Sequence, residues 1–169
     1  MTASLTFAEA TPEDAAAIAA LRTAVAERLT AEHGKGHWSS AVSERGVLSG
    51  LHAHSRVLVA RDGDAIVGTL RLATKKPWAI DTAYFTAVRR ALYLIDMAVE
   101  PGLQRQGIGR RLLDFTIETA RAWPAEAIRL DAYDGPAGAG GFYARCGYQE
   151  VGRVVYRGTP LVYFELLVI

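Results

Sequence analysis

Cysteine occurs once in the 169 residues, at Cys146. That excludes an internal disulfide and suits a reducing compartment. Net charge is also scarce: 19 Lys and Arg against 18 Asp and Glu leave +1. No global field therefore draws the chain to nucleic acid or to an acidic membrane. No uninterrupted apolar stretch approaches the ~18 residues of a membrane-spanning helix, and the N-terminus lacks the basic-then-apolar pattern of a secretory signal. Internal repeats and low-complexity linkers are missing as well. These absences lead us to expect a cytoplasmic protein without nucleic-acid or membrane partners. Half of the residues are apolar and 22% are charged. The length suits one domain over residues 1–169 with a real core.

What is present is a succession of short elements. Leu5–Ala8 reads as a strand. Thr11-Pro12-Glu13-Asp14 starts a helix well: Thr11 can cap, Pro12 fits the first helical position, and two acids complement the dipole. Ile18, Leu21, Val25 and Leu29 give that helix an apolar stripe as far as Gly34. His33–Trp38 is a loop, and a second helix is expected over Ala41–His52. Arg56–Ala60 and Ala65–Ala73 are strands joined by an Asp62-Gly63-Asp64 hairpin turn. Further strands are expected at Leu92–Val99, Ile128–Tyr133, Val151–Tyr156 and Leu161–Val168, the last entered through a Gly158-Thr159-Pro160 turn. Helices are expected at Gly107–Trp123, ended by Pro124, and at Gly138–Cys146. The pattern predicts a mixed sheet built around one β–α–β unit.

The most informative stretch is Leu92–Trp123. An apolar strand stops at Glu100-Pro101, and Gln104-Arg105-Gln106-Gly107-Ile108-Gly109 then turns into an amphipathic helix. Unpaired N–H groups and the dipole at a helix N-terminus favour an anion, and glycine lets the backbone approach it. The dinucleotide pattern G-x-G-x-x-G fails, because Leu112 stands where its third glycine belongs. The Walker pattern fails because no Lys-Ser or Lys-Thr follows the glycines. What is left is Q-x-x-G-x-G behind a strand, with Arg105, Arg110 and Arg111 around it.

This loop resembles the coenzyme A pyrophosphate loop of the GNAT superfamily of N-acetyltransferases. Downstream, Gly141-Phe142-Tyr143-Ala144-Arg145-Cys146-Gly147-Tyr148 looks like that family's F-Y-x-x-x-G-F/Y motif. The resemblance spans nearly the whole chain. It implies an α/β (α+β) fold: a mixed, mostly antiparallel twisted sheet of about seven strands with helices on both faces. It implies acetyl-CoA as cosubstrate and no metal. Its cofactor-binding residues would be Gln104, Arg105, Gln106, Gly107, Ile108, Gly109 and Arg110 for the pyrophosphate. Met97, Ala98 and Val99 would hold the pantetheine and acetyl carbonyl through freed backbone groups of a splayed strand. Bonds that tighten onto an oxyanion stabilise the transition state more than the ground state. Tyr143 stands where the family places the general acid for the departing thiolate. One departure is Pro136, at a place where many members carry an asparagine that contacts the cofactor. It weakens assignment to the subfamily that acetylates ribosomal-protein N-termini, which the Gln104–Gly109 loop otherwise resembles.

The amine side is the least determined. An alkyl ammonium of pKa about 10 costs roughly 4 kcal/mol to deprotonate at pH 7. Asp96 is the first candidate base, with Asp131, Glu165 and Asp81 as alternatives, and Tyr93 and Tyr133 could hold water or the acceptor. A family turn that is often short is here a connection over residues 74–90, rich in aromatics, and such loops are more often functional than idle. Trp38, Trp78, Tyr84 and Phe85 are the candidate acceptor-lining residues. A small-molecule amine is the expected acceptor. Acetylation of a peptide N-terminus or lysine, and a silent CoA-binding sensor, stay open. A homodimer is also open, since dimerisation is common in the family and the last strand is apolar.

Overall fold

The structure, a computed structural model, describes residues 4–169. In chain order the elements are β1 (Leu5–Glu9), α1 (Ala15–His33), α2 (Glu44–Leu48), β2 (Ser55–Asp62), β3 (Ala65–Ala73), β4 (Ala91–Val99), α3 (Ile108–Ala122), β5 (Ala127–Tyr133), α4 (Gly140–Arg145), β6 (Gln149–Tyr156) and β7 (Thr159–Leu167). The strands form one seven-stranded sheet in the order β1-β2-β3-β4-β5-β7-β6. Pairing is mostly antiparallel, with β4 and β5 parallel. This is the mixed α/β architecture that the sequence leads one to expect. The chain divides into two compact units, one reaching Leu72 and including Ile95–Thr116, the other made of Ala73–Leu94 and Ile117–Ile169.

In the first unit, a 3-10 turn at Pro12–Asp14 leads into α1. The Asp14 carboxylate accepts from the Thr11 amide at 2.9 Å and from Arg61 Nη2 at 2.7 Å. Gly34, at φ 78°, ends the helix in a conformation costly for other residues. Ile18 and Leu21 are buried, and Ile18 joins Ala15, Val47, Val57 and Val59 in one core cluster. On α3, Ile108 and Leu112 are buried against β3 at Gly68, where a Cβ would stand 3.3 Å from Ile108 Cγ2.

Helix α2 is shorter than the expected Ala41–His52. Thr23 Oγ1 donates to the Val42 carbonyl at 3.2 Å and accepts from the Val42 amide at 3.0 Å. Those two bonds tie Val42 to α1 in place of helical partners, so the helix begins only after Ser43, whose hydroxyl accepts from the Gly46 amide. The turn between β6 and β7 also differs from expectation. It is Arg157-Gly158, at φ 49° and 83°, the two positive angles of a type I′ hairpin. Thr159 and Pro160 already belong to β7, where Pro160 faces Val155.

In the second unit, residues 74–90 are strapped onto β7. Tyr163 Oη donates to the Ala79 carbonyl and accepts from the Asp81 amide at 3.1 Å. Tyr84 and Phe85 pack on the Tyr163 ring, and Gly152 admits Tyr84 because a Cβ there would meet the ring at 2.3 Å. Beneath the strap lies a buried charged pair, Arg129 Nε to Glu165 Oε2 at 3.5 Å. Arg129 also donates to the Thr86 carbonyl at 2.6 Å and to Tyr93 Oη at 3.2 Å, and lies over the Phe85 ring. Glu165 accepts from Thr86 Oγ1 at 2.6 Å.

Removing one partner of such a pair strands a charge in a dry site. Glu165→Ala should therefore lower unfolding stability by about 3–5 kcal/mol in urea titration. The double change Glu165→Leu with Arg129→Met should recover most of that loss, because it removes both charges together.

Candidate functional site

The sequence places the expected acetyl-holding residues at the end of β4, and the backbone there is irregular. Parallel pairing of β4 with β5 covers Ala91–Tyr93 against Ala127–Arg129, three residues of a nine-residue strand. Asp96 has φ 60°, a left-handed angle in mid-strand that costs about 1–3 kcal/mol in a non-glycine residue. Its surroundings hold it there. Asp96 Oδ1 faces Arg22 Nη2 at 3.0 Å, and Oδ2 accepts from Arg71 Nε at 3.3 Å. Met97, Ala98 and Val99 follow the kink. The Glu100 amide then donates to the Val67 carbonyl at 2.9 Å, which returns the chain to β3.

Gln104–Gly107 form an exposed turn between β4 and α3. Gln104 Nε2 reaches back to the Val99 carbonyl at 3.2 Å, linking the turn to the strand end. Arg105 and Gly107 both take left-handed angles, φ 66° and 84°. Left-handed residues spaced in this way turn backbone amides into an anion-binding concavity. Ile108 is buried and anchors the first turn of α3, whose hydrogen bonding starts with the Arg111 amide on the Gly107 carbonyl at 3.1 Å. Gly109 is half-buried and Arg110 exposed.

Beside the kink opens a cleft of about 480 Å³, and Arg22, Trp38, Asp96, Met97 and Ala98 are among its walls. Val25 and Leu29, from the apolar stripe of α1, line it too. A smaller cavity of about 110 Å³ is lined by Arg22, Arg71, Thr69, Ser49 and Asp96. The structure thus brings together four of the sequence candidates: Trp38, Asp96, Met97 and Ala98. Trp38 is held by its own loop, its Nε1 donating to the Gly34 carbonyl at 3.0 Å. The other three aromatic candidates belong to the strap over residues 74–90. Phe85 is buried on Tyr163, Tyr84 lies edge-on to the same ring, and Trp78 is 83% exposed. Of the alternative carboxylates, Asp81 accepts from the Ala83 amide, and Glu165 is committed to Arg129 and Thr86.

Arg22 and Arg71, which pair with Asp96 and line the smaller cavity, are residues that the sequence reading passed over. The signal was available: Arg22 interrupts the apolar series Ile18, Val25, Leu29 at helical spacing, and Arg71 stands between Leu70 and Leu72 as the one charge in its strand. A charge on a buried face needs a partner.

In the second unit, α4 buries Tyr143 among aromatic rings: Phe142 at 5.4 Å, Tyr148 at 5.8 Å and Phe164 at 6.2 Å. Burial pushes the Tyr143 phenol well above its ordinary range, and likewise that of Tyr148, whose hydroxyl has no hydrogen-bond partner among the described residues. No group of three His, Cys, Asp or Glu side chains suited to a metal occurs among the described residues, and no helix of theirs is long and apolar enough to cross a membrane.

A sequence model described as "acetyltransferase (GNAT) domain" matches residues 53–150, more than half of the chain. No curated protein matches. Among solved structures, one similar fold is yncA of Salmonella typhimurium, determined with its cofactor acetyl-CoA: 19% identity, coverage of 98% of this chain and 95% of that one, TM-score 0.73. Another is a ribosomal-protein-alanine N-acetyltransferase from Brucella melitensis, at 21% identity, 96% and 99% coverage and TM-score 0.73. A third is an aminoglycoside 6′-N-acetyltransferase complexed with coenzyme A, at 17% identity, 97% coverage of both chains and TM-score 0.70.

The two buried phenols give the site a pH signature. Their folded pKa values lie above the unfolded value of about 10. Their contribution to stability is therefore fully present below pH 10 and is lost as pH rises beyond it. Of the seven tyrosines, at least Tyr143 and Tyr148 should stay un-ionised at pH 11 in an ultraviolet titration of the folded protein. Their absorbance should rise only with unfolding.

Proposed function

The chain belongs to the GNAT acetyltransferase family, enzymes that use acetyl-CoA, and from that premise we propose that it acetylates the amine of a small molecule held in the cleft beside Met97 and Ala98. The observation that carries this reading is the convergence of that cleft, the kink at Asp96 and the glycine turn on one strand end. Residues 1–169 act as one catalytic domain, and the cytoplasm is its place of work.

Acetyl-CoA supplies a thioester carbon ready for attack by an amine. The backbone amides of Gln104–Arg110, with the positive end of α3, bind the pyrophosphate. Met97, Ala98 and Val99 orient the carbonyl through their backbone, so their side chains need only pack. A bond forms from the acceptor nitrogen to the acetyl carbon while the carbon–sulfur bond breaks. The nitrogen loses one proton, and the sulfur gains one. Tyr143 donates to that sulfur; burial keeps its phenol protonated throughout the working range. Asp96 receives the amine's proton by way of water, since each of its oxygens already faces a guanidinium.

Gly107→Val puts a branched side chain at φ 84° in the anion turn. Acetyl-CoA affinity should fall at least tenfold by calorimetry, while circular dichroism keeps its folded signal. Equal affinity in the variant would remove the turn from the cofactor site. For Tyr143→Phe, kcat should drop about a hundredfold, the scale of general-acid catalysis, with little change in acetyl-CoA KM. Undiminished kcat would take the acid role away from Tyr143.

A further inference from the structure

We infer that the acceptor amine carries a carboxylate, and that this anionic group is received by Arg22, on the wall shared by the two cavities, and by Arg71, on the wall of the smaller one. The inference rests on the small-molecule acetyltransferase reading and narrows it.

Charge comes first. Two guanidiniums, Arg22 from α1 and Arg71 from β3, converge on the single carboxylate of Asp96. The cluster is left with one unbalanced positive charge. All three side chains are largely withdrawn from water, at 23%, 27% and 29% exposure, so the imbalance is weakly screened. An acceptor that brings one negative charge neutralises the wall. A plain amine, or a polycation, meets it as a like charge.

The hydrogen-bond inventory agrees. Arg71 uses Nε on Asp96 and Nη1 on Ser55 Oγ at 3.3 Å. Arg22 uses Nη2 on Asp96. Arg22 Nε and Nη1 and Arg71 Nη2 have no protein partner among the described residues, although both side chains line the smaller cavity and Arg22 lines the cleft as well. A guanidinium fork fits a planar carboxylate in two-point contact. Asp96 thus acts as the positioning residue that keeps both forks aimed.

The dimensions suit a short acceptor. Arg22, Gly46 and Asp96 line both the 110 Å³ cavity and the 480 Å³ cleft, and the cleft wall includes Met97 and Ala98. A carboxylate against Arg22 and Arg71 leaves its amine on the side of the acetyl-holding strand. Gly50 is part of this fit: a Cβ there would press on Arg71 Cδ at 3.0 Å. The carboxylate itself takes no part in the bond changes. Nitrogen gains the acetyl carbon and gives up one proton, and sulfur leaves with one.

The test is a panel of paired acceptors, α-, β- and γ-amino acids against their carboxamides, assayed on the full chain with acetyl-CoA by thiol release and mass spectrometry. At least one acid should exceed its amide tenfold or more in kcat/KM. Arg71→Gln should pull that ratio toward one, and Arg22→Gln, made as a second and independent variant, should do the same. Circular dichroism should keep its folded signal in both, and the acid-to-amide ratio is read within each variant, so a shared change in acetyl-CoA affinity cancels from it. If amides are acetylated as well as or better than acids, the inference falls and the acetyltransferase reading stands. If acetyl-CoA binds and no amine of either series is used, the inference and the small-molecule reading fall together. If the acid preference persists in both variants, the arginines are not its source and the inference is overturned.

Discussion

One carboxylate between two guanidiniums fixes the irregular backbone toward the end of β4, beside the cleft. Asp96 occupies a left-handed backbone conformation in mid-strand, which a side chain beyond glycine tolerates only when its surroundings enforce it. Arg22 and Arg71 supply that enforcement, one from a helix and one from a neighbouring strand. The kink separates two kinds of strand within β4. Before it, Ala91–Tyr93 pair with β5 in regular parallel register. After it, the backbone leads through Met97–Val99 to the turn that Gln104 ties back to Val99. The ion cluster is thus a device for holding irregular backbone, and irregular backbone is what leaves amides and carbonyls available to a ligand.

A second charged pair does a different job. Arg129 and Glu165 are buried, and a buried pair of this kind is weak evidence for stability, since apolar residues often replace it without loss. Its partners tell what it specifies. Arg129 and Glu165 together occupy the carbonyl and the hydroxyl of Thr86, and Phe85 lies under the guanidinium. With Tyr163 taking the Ala79 carbonyl and the Asp81 amide, the long connection has one way to lie on β7. A 17-residue stretch without such anchors would pay a large ordering entropy for little burial.

Local signals were legible in the sequence because they act over a few residues. Thr11-Pro12 opened the 3-10 turn that leads into α1, Gly34 closed the helix, and the glycine turn after β4 took the left-handed angles that its composition permits. Long-range decisions were not legible. The start of α2 is set by a hydroxyl 19 residues away, Thr23 on Val42. The β6–β7 turn slid by one residue because Thr159 and Pro160 could join the ladder opposite Tyr156 and Val155. Arg22 and Arg71 stand out in the sequence as charges on apolar faces, but the partner that they share, Asp96, is set only by the fold. Aromatic content alone does not tell where each ring goes: of Trp38, Trp78, Tyr84 and Phe85, Trp38 lines the cleft with Met97, while Tyr84 and Phe85 pack on Tyr163.

Burial of Tyr143 sharpens the question of what a tyrosine can do for a departing thiolate. A phenol pushed above its ordinary range is a weaker acid than one in water. An ordinary thiol, at about 8.5, would not take its proton downhill. Desolvation acts on the thiolate as well, raising its basicity in apolar surroundings by the same mechanism. The proton affinities of donor and acceptor then rise together, and the hydrogen bond between them strengthens as charge develops on sulfur. Three aromatic rings, Phe142 of α4, the following Tyr148 and Phe164 of β7, supply such surroundings around Tyr143. An apolar shell around the phenol is therefore a requirement of the proposed donation, and the packing of Tyr143 between α4 and β7 meets it.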